Sequence, residues 1–265
     1  MRKKVTTVLA ALVLAGGASH AGHDISEKIV DIPTRPQVTE RLLVLTPKNA
    51  PKAAVILLAG GHGGLQISDN GSFGWGKGNF LVRSRRLFAD RDLLVVVVDA
   101  PSDRQMPPYL SGFRGTSKHV MDLKAVIAWV RKQTDVPVWL VGTSRGTEST
   151  AYTATYLSGR DGPDGLVLTS TILSDSKEFP VTSLELDRVR VPVLIVHHVN
   201  DGCRHCAYAH ISRLLDALAN APKKDLISVQ GGQSQGDPCE AWSHHGFNGI
   251  EPEVVEKISA WILQK

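Results

Sequence analysis

The chain has 265 residues, 42% of them hydrophobic and 21% charged, which is enough to bury the core of one domain. Its 3 cysteines are too few for a disulfide-built scaffold, and no apolar run reaches the roughly 18 residues that mark a membrane-spanning helix. The composition is neither collagen-like nor that of a disordered chain, and the formal charge of +4 leaves a nucleic-acid or membrane-surface partner to be considered.

The position of the charges removes that partner. Arg2, Lys3 and Lys4 precede an apolar stretch over residues 5–15 and a small-residue segment ending at Ala21, the layout of a cleavable export signal. Residues 1–21 are read as a signal peptide cleaved after Ala21, and residues 22–265 as a single domain, periplasmic or secreted. Without those three basic residues the chain lies within one charge of neutral, so neither nucleic acid nor stable membrane insertion is expected.

From residue 41 onward, strand-like runs alternate with helix-length periodic segments. Strands are expected at 41–45 and 53–59, then a glycine-rich loop over 60–78 and a helix near 79–90. The strand expected at 93–99 is continuous Leu and Val over 93–98, as in a strand buried on both faces, and the segment 117–133 sets Val120, Leu123, Ile127 and Val130 on one helical stripe. A strand at 138–142, a helix at 145–158 and strands at 165–169 and 193–198 follow. A helix at 206–220, a strand at 226–229 and a helix at 252–264 complete the chain. This alternation argues for an α/β protein with a mostly parallel central sheet of about seven or eight strands and helices on both faces.

The most specific motif is Gly142-Thr143-Ser144-Arg145-Gly146, placed between a strand and a helix. In that context G-x-S-x-G is a nucleophile elbow: the glycines permit the tight turn, Ser144 stands at its apex, and the helix N-terminus lends positive potential to developing negative charge. A serine nucleophile needs a base, and the base needs an orienting carboxylate. Asp201, on the turn after strand 193–198, is the first candidate acid, with Asp175 as the alternative. His245, in Trp242-Ser243-His244-His245-Gly246-Phe247, is the candidate base, with His244 as the alternative. His197 and His198 end an apolar strand and read as core residues. For the oxyanion, one backbone donor is expected from Arg145 and the other from Gly61 or His62, within Gly60-Gly61-His62-Gly63-Gly64.

Through these motifs in this order, over about residues 53–264, the sequence resembles the α/β-hydrolase family. The resemblance implies the α/β-hydrolase fold and a Ser144–His245–Asp201 triad. It further implies acyl-enzyme chemistry without a cofactor, on a small-molecule ester or related acyl substrate. Only residues 171–192 separate the strands between which many members insert a lid, so an open site walled by loops is expected. A carboxylesterase-like serine hydrolase is the leading reading; a peptidase or acyltransferase with the same triad, or a non-catalytic binding protein on the scaffold, is the alternative.

Two further segments carry suggestive residues. The run from Gly71 to Gly78 matches G-x-x-x-x-G-K, yet Gly78 stands where a nucleotide loop needs Ser or Thr, and no strand precedes it. Its Phe73 and Trp75 are read instead as an apolar wall for substrate. Cys203-Arg204-His205-Cys206, with His210 and Cys239, holds metal-ligand types, but no second spaced pair completes a zinc site. No metal is expected, and the oxidising compartment implied by the signal favours a disulfide. The resemblance, through Asp201-Gly202-Cys203, points to Cys203–Cys239 over Cys206–Cys239, which would tie the acid loop to the histidine loop and leave Cys206 as a buried helix residue.

Overall fold

The computed structural model describes residues 25–174 and 179–264. The segment 1–21 read as an export signal, and Asp175, lie outside the described residues. The strands are β1 (Ser26–Arg35), β2 (Val38–Thr46), β3 (Ala53–Leu58), β4 (Leu93–Val98), β5 (Val138–Thr143), β6 (Gly165–Thr169), β7 (Val193–His198) and β8 (Lys224–Val229). They form one sheet in the order β1-β2-β4-β3-β5-β6-β7-β8. β3 to β8 run parallel, and β1 and β2 are antiparallel additions at the β4 edge.

Period-two alternation divides the core into two layers. Val55, Leu57, Val95, Val97 and Val141 face α1 (Phe80–Ala89) and α5 (Glu251–Ile262). Ile56, Leu58, Val96, Val98 and Leu140 face α2 (Ser117–Gln133), α3 (Gly146–Tyr156) and α4 (Ile211–Ala217). Every residue of β3, β4, β5, β6 and β7 is buried, which is why these strands read as unbroken apolar runs.

Two elements differ from the sequence expectation. β1 carries no apolar run, because it pairs only with β2, contains Pro33 and leaves most of its residues at least partly exposed. The helix expected at 206–220 shrinks to α4, preceded by a short 3-10 turn at Tyr208–His210. At its start the Cys206 carbonyl oxygen is taken by His197 Nε2 at 2.6 Å, and at its end Lys224 Nζ takes the carbonyls of Leu215 and Leu218. Cys206 is therefore a turn residue, not a helix residue, although it is fully buried as expected.

Between β2 and α2 lies a buried group of charges. Arg35 pairs with Asp122 and Asp103, each at 2.8 Å, while Glu40 beside them is wholly buried and neither of its carboxyl oxygens meets a hydrogen-bond partner. Burial, reinforced by the carboxylates of Asp122 and Asp99, pushes the Glu40 carboxyl well above its ordinary range. Below about pH 4.3 both folded and unfolded chains hold this proton. Above it the unfolded chain releases the proton while the folded one keeps it, so stability falls with rising pH until the native carboxyl ionises. Glu40→Gln is accordingly expected to gain stability relative to the wild-type chain as pH rises from 3 to 7; urea denaturation at both pH values tests this, and an unchanged difference would remove the assignment.

Candidate active site

The site forms where the strand order reverses, at the carboxyl ends of β3 and β5. Ser144, directly after β5, has φ of +52°, a left-handed conformation that a non-glycine residue holds only when its surroundings enforce it. The enforcement comes from hydrogen bonds on both sides. Ser144 N donates to Thr169 O at 3.0 Å, and Thr147 N donates to Ser144 O at 2.9 Å. The flanking glycines serve by lacking a side chain: a Cβ on Gly146 would lie 2.0 Å from Leu58 O, and one on Gly142 would lie 2.3 Å from Thr150 Oγ1.

Asp201 follows β7 and is nearly buried. Its Oδ1 accepts from Cys203 N at 2.9 Å, and its Oδ2 lies 2.9 Å from His245 Nδ1. His245 belongs to the turn His244–Gly246, which is anchored from several sides. Ser170 Oγ donates to His245 O at 2.7 Å, Arg83 Nη2 donates to Gly246 O at 2.6 Å, and Phe247 packs on Phe80 with ring centroids 4.8 Å apart. His245 Nε2 is buried and has no hydrogen-bond partner. The alternative His244 instead stacks on His198 at 4.2 Å.

His197 and His198 are buried strand-end residues, as expected, but His197 also approaches Asp201, with Nε2 3.5 Å from Oδ2. Burial lowers the pKa of both rings and keeps them neutral, so Asp201 has no buried cation beside it from this strand.

Ser144, Arg145, His245, Gly60 and Gly61 line one cavity of about 800 Å³. Gly60 lies against Ser144, since a Cβ there would lie 2.8 Å from Ser144 Cβ. Of the two alternative donors, Gly61 borders the cavity, whereas His62 does not; its ring is sandwiched between Trp75 at 3.8 Å and Tyr109 at 4.1 Å. Trp75 lines the cavity, its indole lying over Gly61. Phe73 does not: it is buried in the core beneath the Arg85 guanidinium, because its bridge to Ile67 turns the loop inward there. Sequence reasoning missed Trp242 and Arg204 as wall residues, although both stand in segments already singled out for His245 and Cys203.

Cys203 and Cys239 form a disulfide that joins the acid loop to the histidine loop. Among the described residues, Cys203, Cys206 and His245 bring possible ligand atoms within 4.8 Å of one another. That trio does not suit a metal, because the Cys203 sulfur is in the disulfide, which leaves two ligand groups. Replacing both bridge cysteines with serine is expected to lower stability by up to about 4 kcal/mol, read by denaturant titration. Non-reducing peptide mapping should recover a Cys203–Cys239 linked peptide, with Cys206 alkylated only after unfolding.

No protein-family model matches the chain, and no curated protein matches it. Solved structures do. A cold-adapted esterase from an Arctic intertidal metagenomic library superposes with a TM-score of 0.61 at 13% identity, covering 91% of this chain and 97% of that one. Dienelactone hydrolase from Anabaena variabilis gives a TM-score of 0.61 at 15% identity, covering 91% and 98%. An α/β serine hydrolase without a lid, from Xanthomonas campestris, gives 0.57 at 16% identity, covering 88% and 94%. The sheet order, the strand–turn–helix elbow at Ser144 and the near-complete overlap with these structures agree: the chain has the α/β-hydrolase fold.

Proposed function

We propose that the chain is an exported serine hydrolase that cleaves a carboxylic ester or a related acyl compound. The observation that carries this reading is the state of His245. One ring nitrogen is held by Asp201 at 2.9 Å, and the other is buried without a protein partner beside the cavity that Ser144 lines. A neutral histidine whose Nδ1–H is bonded to a carboxylate presents Nε2 as a proton acceptor.

In the proposed reaction Ser144 attacks the acyl carbon as His245 takes its proton, and Asp201 stabilises the imidazolium. The Arg145 amide, with an amide of the Gly60–His62 loop, receives the oxyanion. His245 then protonates the leaving alcohol, and a water activated by the same nitrogen releases the acyl group. Only residues 170–192 lie between β6 and β7, which supports a site walled by loops and open to small substrates. The neighbours named above as an esterase and a dienelactone hydrolase support an ester substrate, and acylaminoacyl peptidases of the same fold support the peptidase alternative. A disulfide and an export-type leader are compatible with an oxidising compartment.

A fluorophosphonate probe is expected to label Ser144, located by peptide mapping, and short-chain p-nitrophenyl esters are expected to be hydrolysed. Ser144→Ala should lose about 10⁶ in kcat. Asp201→Asn should lose about 10⁴, because the amide cannot hold the required tautomer. Turnover in Ser144→Ala near that of the wild-type chain would refute the proposal.

A further inference from the structure

Arg114 is one of the largest side chains in the core, only 1% exposed, and the triad gives it no task. It lies on the segment between β4 and α2. Nη2 donates to the carbonyl oxygens of Ala59 at 3.1 Å and Gly61 at 3.3 Å, while Nη1 donates to Ser149 Oγ on α3 at 2.7 Å. The absence of a side chain at Gly63 makes room for the guanidinium, since a Cβ there would lie 2.6 Å from Nη2. His119 Nε2 lies 2.9 Å from the same Ser149 oxygen. Burial, with the nearby Arg114 charge, pushes the His119 pKa down to about 3, so the ring beside Ser149 is neutral.

A peptide group is a rigid plane whose N–H points opposite to its C=O. Holding Ala59 O therefore sets the Gly60 N–H, and holding Gly61 O sets the His62 N–H. Between those two planes lies the Gly60–Gly61 peptide, hinged at Gly60 and at Gly61, whose φ is +59°. The rest of the loop is gripped by the same segment. Leu110 N donates to His62 O at 3.0 Å, Tyr109 stacks on the His62 ring, and the Asp99 carboxylate accepts from the amides of Leu65, Gln66 and Ile67.

We propose that Arg114 is a positioning residue of the oxyanion site: it locks the two peptide planes that flank the Gly60–Gly61 peptide to the helix that starts behind Ser144. This rests on the serine-hydrolase reading above. Its planar fork reaches three acceptors on two elements at once, which the single nitrogen of a lysine cannot do in the same geometry. Donors aimed in advance need no reorientation when charge develops, so loosening them raises the barrier without weakening ground-state binding.

The test uses Arg114→Lys and Arg114→Met in the full chain. Both are expected to lower kcat at least about tenfold with KM changed less than about twofold, and Arg114→Met should be the more affected. Inhibition by an aryl boronic acid, a tetrahedral mimic, should weaken in parallel with kcat. Amide hydrogen exchange should quicken at residues 60–62 and stay unchanged in α5, on the opposite face of the sheet. If Arg114→Met does not fold, Ser149→Ala, which removes the anchor on α3, supplies the second comparison. Wild-type kcat in the folded variants, or unchanged exchange at residues 60–62, overturns the proposal. Absence of ester turnover and of fluorophosphonate labelling in the wild-type chain overturns the hydrolase reading instead. The exchange comparison needs no substrate and still decides whether Arg114 holds the loop.

Discussion

The rest of the site depends on the contact between the ends of β3 and β5, which is closer than side chains permit. The two strands pair in parallel with Leu58 opposite Gly142, so the chain leaving β3 passes directly over the turn leaving β5. Gly146 meets the Leu58 carbonyl and Gly60 meets Ser144 at distances where a Cβ could not fit. Close backbone approach, more than freedom of φ, explains the glycines of the elbow. It brings the strained Ser144 next to the loop whose amides the proposed chemistry needs.

A second assembly forms around Asp201, at the other side of the cavity. Its carboxylate is shared among the Cys203 amide, His245 and, at longer range, His197. The histidine loop reaches it across 44 residues of sequence, which is costly in chain entropy unless the loop is tied down. The Cys203–Cys239 bridge, the Ser170 and Arg83 hydrogen bonds and the buried Phe247 provide those ties, each from a different element. The Arg114 cluster plays the equivalent part for the loop after β3, so the Ser144 turn, the His245 loop and the Gly60–His62 loop are each fastened by buried polar contacts.

Much of this was legible from the residues. Strands covered on both faces appear as continuous apolar runs, and helices with one buried stripe appear as a 3.6-residue period, so β3 to β7 and α2 could be read directly. Ser144 and Asp201 could be singled out because each occupies a turn at a strand end, and His245 because it follows them in chain order on the turn before the last helix. β1 could not, because an edge strand half in solvent carries no such pattern. The shortened α4 depends on a bond between His197 and the Cys206 carbonyl, a partner nine residues away that local periodicity does not register.

The sequence by itself determined the layering, the strand–turn–helix elbow and the residues available for a triad, because these follow from local hydrophobic spacing and turn chemistry. Tertiary structure alone decided which neighbours those residues meet. It put Gly60 against Ser144, sent Phe73 into the core while Trp75 stayed at the cavity, paired Cys203 rather than Cys206 with Cys239, and buried Arg114 behind the Gly61 loop. The physical reason is that such contacts join segments far apart in sequence, so they are fixed by sheet order and packing, which no local pattern encodes.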